Sequence, residues 1–442
     1  MRALMSTSGG AQEPRGPGHV LVLAAEFPPV GGGGVIRVTK LVKYLARLGW
    51  TVEVVCSDEP LGDAVDTSLL DELPSDVVIH RVRTAAHAVA DVTRVAKTRL
   101  SRQSLAFRAL FSIRATIRAL VAIPDRWLPW ALAVQRSRSL RDTKASVILG
   151  SGPPHSVHIA SARLSRATGL PYVMDLRDEW TLRSLTRRRV PWRVAIERRL
   201  ERWCVRRAAA IVVVSEESRA RYAERYPDTA NRLVVIPNGF DPEDFEGLPP
   251  AADPPDGGVT LGYAGSFQVG TDIEPMFSAI GAVTRQSLGD NRVRFEMIGP
   301  FTPGDLAVAR RHVPADALEI RPFAAHRAAL ARMREWTALC VVATDGRSSL
   351  AGKLYECLAT RKPVVVVAPE GPATRLVGEL CAGTVADPQD ADAIEEAIVA
   401  ALEMASRGFE GVSPDALRPY DRRHQAERWS RLLTRVSAAP PR

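Results

Sequence analysis

Residues 19–56 read HVLVLAAEFPPVGGGGVIRVTKLVKYLARLGWTVEVVC. The stretch begins with a short apolar strand, His19–Ala25, which leads through a glycine loop into an amphipathic helix, Val35–Leu48. A second apolar strand, Thr51–Cys56, follows the helix. Strands that alternate with helices in this way are typical of a parallel sheet with crossover helices. The alternation continues to about Ile236, so we predict that the first half is a Rossmann-like domain.

A connector rich in Pro, Asp and Gly divides the chain. Its composition, over residues 241–258, suits neither a helix nor a central strand. We therefore predict a first domain over 19–240, a second Rossmann-like domain over 259–418, and a last helix with a tail, 419–442, that folds back onto the first domain. Residues 1–18 are predicted to be a disordered extension. The expected fold class is α/β, with two parallel sheets that face each other across a ligand-binding cleft.

The composition of the chain limits the cellular compartments and the partners that we expect. The chain has 442 residues, a net charge of +9 and five scattered cysteines. No stretch is long and apolar enough to span a bilayer, and residues 1–18 lack the apolar core of an export signal. We therefore expect a cytoplasmic protein with buried, reduced cysteines and neither a metal site nor disulfides. The excess of positive charge predicts an anionic partner.

A basic segment supplies a candidate surface for that partner. Arg94–Arg126 alternates Arg and Lys with Leu, Phe, Ile and Val and contains hardly an acid. This pattern predicts an amphipathic helix on an anionic membrane surface, and with it a peripheral position on the inner face of the plasma membrane. Solvated faces of ordinary helices are the alternative. A second basic run covers Arg183–Arg207. Nucleic acid is not expected, because stacking aromatics are not interleaved with the basic residues.

The glycine loop, Gly31–Gly34, is the first candidate site. It lies directly between the first strand and its helix, where backbone amides approach a ligand closely and face it from the helix N-terminus. We therefore predict that Gly32, Gly33 and Gly34 contact an anion or a sugar, with a flexible turn as the alternative. The spacing differs from the dinucleotide fingerprint GxGxxG, which argues against a nicotinamide-dependent dehydrogenase.

Residues 345–356, DGRSSLAGKLYE, are the second candidate site. A loop of small residues follows strand Leu339–Ala343 and leads into a helix with Lys353 in its first turn. Free amides together with an ammonium group can hold a diphosphate, and a positive charge is otherwise unfavourable at a helix N-terminus. Glu356, one turn later, is predicted to accept hydrogen bonds from ribose hydroxyls. The alternatives are a solvated surface lysine and an ordinary solvent-facing glutamate.

Polar residues near two strand ends of the first half are candidates for an acceptor site. His155 and His158 begin the helix Val157–Thr168, where a neutral imidazole can bind an acceptor hydroxyl, cap the helix or pack in the core. Arg177 and Asp178 follow the next strand, where they form either a structural ion pair or part of the site. The sequence leaves both pairs open.

The order of these segments resembles that of bacterial glycosyltransferases of family 4, from about His19 to Leu433. The opening strand, glycine loop and helix carry the resemblance, as do later blocks that read PDRWLPW, SGPPHSVH, LPYVMDLRDEW, VVSEESRARY, VVIPNGFD, YAGSF, MIGP, IRPFAAHRAALARM and AGKLYECLATRKPVVVVAP. The resemblance implies the GT-B fold, in which the first domain binds the acceptor and the second domain binds the nucleotide sugar.

The resemblance also implies a retaining, metal-independent transfer from a UDP- or GDP-linked sugar to a glycan or lipid-linked acceptor in surface polysaccharide synthesis, without a further cofactor. Lys353 would neutralise the leaving diphosphate, and Glu356 matches the second glutamate of the family's E-x7-E motif, a ribose ligand. The other predicted donor-binding residues are Gly33, Gly34, Gly265, Ser266, Phe267, Gly299, Pro300, Phe323, Arg347, Ser349, Leu350, Ala351 and Gly352.

The sequence departs from the family pattern in three places. Ser348 stands where the motif has its first glutamate. The stretch YAGSFQVGTD lacks the usual basic pair, so Lys353 carries the diphosphate alone or with help from Arg347. Arg177 replaces a histidine, which leaves Asp178 as the substitute catalytic candidate. The alternatives are a non-catalytic, membrane-associated scaffold and a sugar-nucleotide epimerase, which would need carboxylates around the donor sugar.

Overall fold

The structure is a computed structural model that describes residues 17–58, 65–83, 123–182, 190–249, 258–267, 270–288, 291–343 and 352–439. Within these ranges the chain forms two α/β halves, each built on its own sheet. The predicted N-terminal extension lies outside the described residues, apart from residues 17 and 18. The bounds of the domains and of the linker stay predictions.

The first sheet has seven described strands, all parallel, in the order β3-β2-β1-β4-β5-β6-β7. The strands are β1 (His19–Leu23), β2 (Thr51–Ser57), β3 (Val78–Val82), β4 (Val147–Gly152), β5 (Tyr172–Leu176), β6 (Ala210–Val213) and β7 (Leu233–Val235). The central strands are rich in Val, Ile and Leu because helices cover both faces of the sheet. The strand order reverses between β1 and β4, and a ligand crevice forms outside the carboxyl ends at such a point.

Helix α1 begins at the glycine loop. Gly32 before it has a φ of 122°, a conformation that favours glycine, and this turn directs the helix N-terminus towards the carboxyl end of β1. The helices of this half are α1 (Gly33–Arg47), α2 (Ser68–Asp71), α3 (Leu128–Arg136), α4 (Arg138–Arg141), α5 (Ser156–Thr168), α6 (Pro191–Arg207) and α7 (Glu216–Arg225). Two 3-10 turns follow, at Pro227–Arg232 and Pro242–Asp244.

The second sheet has six described parallel strands in the order β11-β10-β8-β12-β13-β14, and a short β9 lies antiparallel to β10. The strands are β8 (Val259–Ala264), β9 (Ser287–Leu288), β10 (Asn291–Ile298), β11 (Leu318–Arg321), β12 (Ala338–Val342), β13 (Val364–Val367) and β14 (Gly383–Ala386). The helices are α8 (Glu274–Arg285), α9 (Pro303–His312), α10 (His326–Glu335), α11 (Gly352–Ala359), α12 (Pro372–Glu379), α13 (Ala391–Ser406) and α14 (Pro414–Leu417), with a 3-10 turn at Arg418–Tyr420.

The last helix, α15 (Arg422–Ser437), returns to the first half. Its buried side chains, among them Trp429 and Leu433, join the apolar core between β1 and α1. The Arg422 N–H donates to Phe240 O at 3.0 Å, so the chain re-enters the first half beside the point where it left. The predicted α/β architecture and the returning helix are confirmed.

Two predictions from the composition can be compared with the structure. Four of the five cysteines are buried as predicted, but Cys381 is exposed. The prediction for Cys381 is wrong because this residue lies in the turn after α12, where its φ is 48° and the backbone leaves the core. Among the described helices, none combines the length and the apolarity needed to cross a bilayer.

Candidate functional site

A cleft of about 510 Å³ lies between the two halves. The first half contributes the start of α1, including Ile36, and the second half contributes the carboxyl ends of β8, β10 and β12. The predicted site residues on its wall are Gly32, Gly33, Gly265, Ser266, Phe267, Gly299, Pro300, Phe323, Gly352, Lys353 and Glu356. The fold therefore brings candidates from distant stretches of sequence to one cavity, while their contacts with a ligand stay predictions.

Two glycine turns allow loops of the second half to meet at the cleft. The Gly265 N–H donates to Ile298 O at 2.9 Å, and Gly265 and Gly299 have φ values of 141° and 157°. A Cβ on Gly299 would lie 1.9 Å from Gly265 O, so a side chain there would push the two turns apart. Bare backbone at the wall can approach a phosphate group closely.

Lys353 lies in the first turn of α11 and lines the cleft. Its Cδ would be 3.8 Å from a Cβ on Gly265, so the lysine side chain runs along the glycine turn after β8. The first amides of a helix have no acceptors within that helix. The ammonium group and these amides together make one end of the cleft positive, which is the arrangement that a diphosphate requires.

Glu356 lies one turn further along α11 and is 6% exposed, so the solvent-facing alternative does not hold. Its Oε1 is 3.0 Å from Nε2 of His326, the first residue of α10. Burial would raise the pKa of this carboxyl, but His326, Lys353 and Arg422 hold the pKa at about 2. Glu356 is therefore ionised at neutral pH and presents hydrogen-bond acceptors to the cleft.

His326 joins Glu356 to the first half of the molecule. Its backbone N–H donates to Oδ2 of Asp66 at 3.0 Å, and its Nδ1 is 3.6 Å from Oδ2 of Asp244. Burial lowers the pKa of the imidazole, but the carboxylates of Glu356 and Asp244 raise it above the ordinary value overall. Sequence reasoning missed both His326 and Asp66, because only the fold brings them to the cleft. The position of Glu356 thus depends on contacts from both halves.

Replacing His326 with asparagine is expected to lower the free energy of unfolding by about 3 kcal/mol near pH 5.5, because one partner of a buried ion pair is removed. The raised pKa of His326 makes this contribution complete below the unfolded value of 6.5, and it is lost as the pH rises through the folded value. On the acid side, the contribution of Glu356 is lost as the pH falls from 4.5 towards about 2. Urea unfolding at about pH 5.5 and about pH 9 measures the difference.

The matched control is His424→Asn on α15, where the side chain is 32% exposed and 3.5 Å from Glu427. We expect this variant to lose little stability at either pH, because an exposed pair is screened by water. An equal loss for His326→Asn at both pH values would contradict the charged pair.

Arg422, the first residue of α15, also reaches the cleft and was missed. It is 7% exposed, and its Nε has no hydrogen-bond partner among the described residues. Burial lowers the pKa of its guanidinium group. A basic residue at a helix N-terminus is electrostatically unfavourable, and the same signal that singled out Lys353 could have found Arg422. It adds a second cation to the wall of the cleft.

A cluster of carboxylates lies beneath the cleft, beside α1. Oxygens of Glu72, Asp241 and Asp244 lie within 4.8 Å of one another, which is a spacing that suits a metal ion. However, Lys40 Nζ is 3.0 Å from Asp241 and also pairs with Asp244, and Lys43 Nζ is 2.9 Å from Asp241. The two ammonium groups pair with all three carboxylates. The cluster therefore acts as an ion-pair network that fastens α1 to the chain after β7.

Arg177 fastens the glycine loop to the turn after β4. Its guanidinium donates to the backbone oxygens of Gly34 and Pro153, and burial lowers the pKa of Arg177 overall. A Cβ on Gly34 would lie 2.6 Å from Arg177 Nη1, so the glycine makes room for the arginine. Neither residue belongs to the wall of the cleft described above. Arg177 thus holds two backbone segments together, while its pairing with Asp178, its contact with an acceptor and the catalytic role of Asp178 stay predictions.

The structure corrects the acceptor-site prediction for His158. Its ring lies in the core, fully buried, with Nδ1 3.0 Å from Oη of Tyr172, and burial lowers its pKa to about 3. His158 is therefore a neutral packing residue. His155 stacks on Trp180 with ring centroids 4.9 Å apart and makes no side-chain cap to α5. Acceptor contact stays a prediction for His155.

Several predicted residues lie outside the described residues. These are Arg347, Ser348, Ser349, Leu350 and Ala351. Most of the basic segment Arg94–Arg126 lies outside them as well. The contacts that the sequence predicts for these residues, with the donor and with a membrane, stay predictions.

Part of the chain matches a known protein family, which indicates the chemistry of this cleft. Residues 32–239 match the family model described as a glycosyl transferase 4-like domain. Residues 32–239 are a glycosyl transferase 4-like domain. The match begins within the glycine loop, covers α1 and strands β2 to β7, and ends at the turn before the predicted linker. No curated protein matches this chain in sequence.

Solved structures extend the likeness to the whole chain. A sucrose-phosphate synthase from Thermosynechococcus elongatus has 14% identity and a TM-score of 0.62, over 95% of this chain and 97% of that chain. A UDP-forming α,α-trehalose-phosphate synthase from Burkholderia xenovorans, in complex with glucose-6-phosphate, has 14% identity and a TM-score of 0.64, over 94% and 100%. An E. coli trehalose-6-phosphate protein bound with UDP-2-fluoro glucose has 13% identity and a TM-score of 0.63, over 96% and 100%. The GT-B fold is confirmed, and with its glycosyl transferase 4-like domain the protein is a glycosyltransferase.

Proposed function

We propose that the protein is a retaining, metal-independent enzyme that transfers a sugar from a nucleotide-diphosphate sugar to a glycan or lipid-linked acceptor, in the synthesis of surface polysaccharides. The observation that carries the proposal is the pair on α11, where Lys353 at the helix N-terminus and the ionised Glu356 one turn later both line the cleft. A cation and a carboxylate at this spacing suit a diphosphate and the ribose attached to it.

Lys353 stabilises the charge that develops on the leaving diphosphate as the glycosidic bond breaks. A fixed ammonium group in a cleft shielded from water is worth more than the same group in bulk solvent, and it needs no reorganisation during the reaction. The first amides of α11 act on the same phosphates. Both effects are stronger in the transition state than in the ground state, so they raise turnover rather than affinity alone.

The proposed metal independence rests on the cations of the cleft wall. Lys353 and the buried guanidinium group of Arg422 both line it. The diphosphate carries two negative charges in the donor and gains a third as the glycosidic bond breaks. Two fixed positive charges offset much of this charge, which is the task of a divalent ion in metal-dependent transferases. No further cofactor is required for the transfer.

The nucleoside would bind against the aromatic part of the cleft. Phe267 lines it and stacks on Tyr263, with ring centroids 4.6 Å apart, and Phe323 lines it with 37% of its surface exposed. Apolar ring faces of this kind suit a nucleobase. A UDP-linked donor is the first to test, because the E. coli protein of similar fold was solved with UDP-2-fluoro glucose. GDP-linked donors come second, since the sequence leaves both open.

Thermal unfolding with a panel of nucleoside diphosphates and nucleotide sugars tests the donor site. A donor present at about 100 times its Kd is expected to raise the melting temperature by roughly 3 to 6 °C, because it binds the native state alone. The rise should be confined to one base and should be much smaller in the Lys353→Ala variant. The measurement needs no knowledge of the acceptor.

The results of this experiment distinguish the transferase from a non-catalytic scaffold and from an epimerase. No shift with any nucleotide would contradict the proposal and favour a non-catalytic scaffold. A shift accompanied by epimerisation of the free nucleotide sugar, in the absence of an acceptor, would favour an epimerase. In the described cleft Glu356 is engaged by His326, which leaves it a poor general base for that reaction.

A further inference from the structure

Helix α6 (Pro191–Arg207) presents a basic and apolar stripe to solvent. Its exposed positions recur every three or four residues and therefore lie on one side of the helix. Trp192 is 50% exposed and Ile196 is 43% exposed, and Val190, just before the helix, is 44% exposed. The exposed basic residues that follow are Arg198, Arg199, Arg202 and Arg206. Large apolar side chains thus stand at one end of the stripe and arginines at the other.

The acidic residues of α6 are turned away from this stripe. Glu197 is fully buried, with Oε1 3.0 Å from Nε of Arg193. Glu201 is also fully buried and accepts a hydrogen bond from Tyr222 Oη at 2.7 Å. The solvent-facing side of α6 itself therefore carries positive and apolar groups without a negative one, and the exposed Asp228, outside the helix, pairs with Arg206 at its C-terminal end. An anionic bilayer is the complementary partner, because its phosphates attract arginine and its headgroup region accommodates tryptophan.

The stripe lies on the half of the molecule that carries the glycine loop, and a short path of contacts connects the two. Arg193 Nη2 donates to Pro124 O at 3.1 Å, so α6 lies against the segment before α3. In the same segment, Arg126 lies 3.6 Å from Glu26, which shortly precedes the glycine loop. A surface on which α6 rests would therefore meet the protein on its acceptor-binding half.

We propose that the α6 stripe docks the protein on an anionic lipid bilayer, with Trp192 and Ile196 inserted at the level of the headgroups and the arginines on the lipid phosphates. The inference rests on the proposed function and deepens it, because the acceptor would then be a membrane lipid carrying a glycan. Nucleic acids and acidic proteins match the arginines equally well. A bilayer matches the arginines and also accommodates the exposed tryptophan and isoleucine at the level of its headgroups, so it is the partner that we propose.

Vesicle flotation of the full chain tests the docking. Vesicles of phosphatidylglycerol and phosphatidylcholine are expected to bind the protein at about 50 mM salt and to release most of it at about 500 mM, whereas phosphatidylcholine alone binds little. The double variant Trp192→Ser/Ile196→Ser should lower the partition coefficient about 10-fold or more. The double variant Arg198→Glu/Arg202→Glu should lower it by a similar factor or more.

Matched variants elsewhere on the surface serve as controls. Val78 and Val385 are 48% and 46% exposed, so Val78→Ser/Val385→Ser removes two exposed apolar side chains away from α6. Arg431→Glu/Arg435→Glu reverses two exposed charges of the same spacing on α15. Both controls should bind vesicles within about twofold of the unmodified protein, because the docking surface is local.

Three outcomes would overturn the docking. They are an absence of binding to anionic vesicles at low salt, equal losses in the control variants, and unchanged binding in Trp192→Ser/Ile196→Ser. The last of these would mark a general anion-binding surface instead of a bilayer contact. The rise in melting temperature with a nucleotide sugar, measured on the same preparations, tests the transferase proposal independently of the membrane proposal. If the nucleotide sugar still raises the melting temperature but the protein does not bind vesicles, only the membrane proposal is contradicted. If the protein binds vesicles but no nucleotide sugar raises the melting temperature, only the transferase proposal is contradicted.

Discussion

Replacing Lys353 with alanine is expected to lower turnover about 100-fold or more, because the side chain stabilises the additional negative charge that develops on the diphosphate as the sugar leaves. The lysine stands in the first turn of α11 at the positive end of the cleft. Loss of an interaction that strengthens in the transition state lowers both kcat and kcat/KM. Steady-state kinetics with the donor that gives the melting shift measure both quantities.

Lys362→Ala is the matched control for this prediction. Lys362 lies in the turn shortly after α11, is half-buried, and does not line the described cleft. We expect near-normal turnover from this variant and partial recovery from Lys353→Arg, which retains the charge with a different shape. Turnover of Lys353→Ala close to that of the unmodified protein would exclude Lys353 from the reaction.

Replacing Glu356 with glutamine is expected to raise the KM for the donor about 10- to 100-fold and to change kcat much less, because a hydrogen bond to a charged acceptor is lost in the ground and transition states alike. The carboxylate has a pKa of about 2 and is therefore the acceptor throughout the working pH range. Glutamine keeps the shape but loses the charge. Initial rates over a range of donor concentrations separate KM from kcat.

Glu379→Gln, at the exposed end of α12, is the control for charge removal in the same half and should behave like the unmodified protein. The melting temperature of Glu356→Gln must be measured as well, since the change also weakens the contact with His326. A fall in kcat without a change in KM would contradict the role of ribose ligand. It would indicate that Glu356 acts in the transition state.

Local sequence patterns were sufficient for the architecture and for part of the site. Short apolar runs alternate with helical periods in both halves, and such patterns depend on neighbours a few residues apart. The glycine loop and the small-residue loop before Lys353 stand directly after strands, and the carboxyl ends of parallel strands meet at one edge of the sheet. Gly33, Gly265 and Lys353 therefore reach the same cleft, as the sequence suggested.

Residues whose role depends on tertiary contacts could not be predicted from local sequence patterns. Asp66 and His326 are separated by 260 positions, and their contact exists only because the two halves close on each other. Arg422 reaches the cleft because the last helix returns across the domain boundary. His158 illustrates the converse error, since a polar residue at a helix start can lie entirely in the core, where Tyr172 pairs with one of its ring nitrogens.

We propose that the cleft holds the nucleotide diphosphate of the donor, and a crystal structure with the nucleotide that gives the melting shift tests this directly. We expect the diphosphate within hydrogen-bonding distance of Lys353 Nζ and the first amides of α11, with a ribose hydroxyl on the carboxylate of Glu356. A nucleotide bound elsewhere, or one that lies in the cleft without touching Lys353 or Glu356, would contradict it.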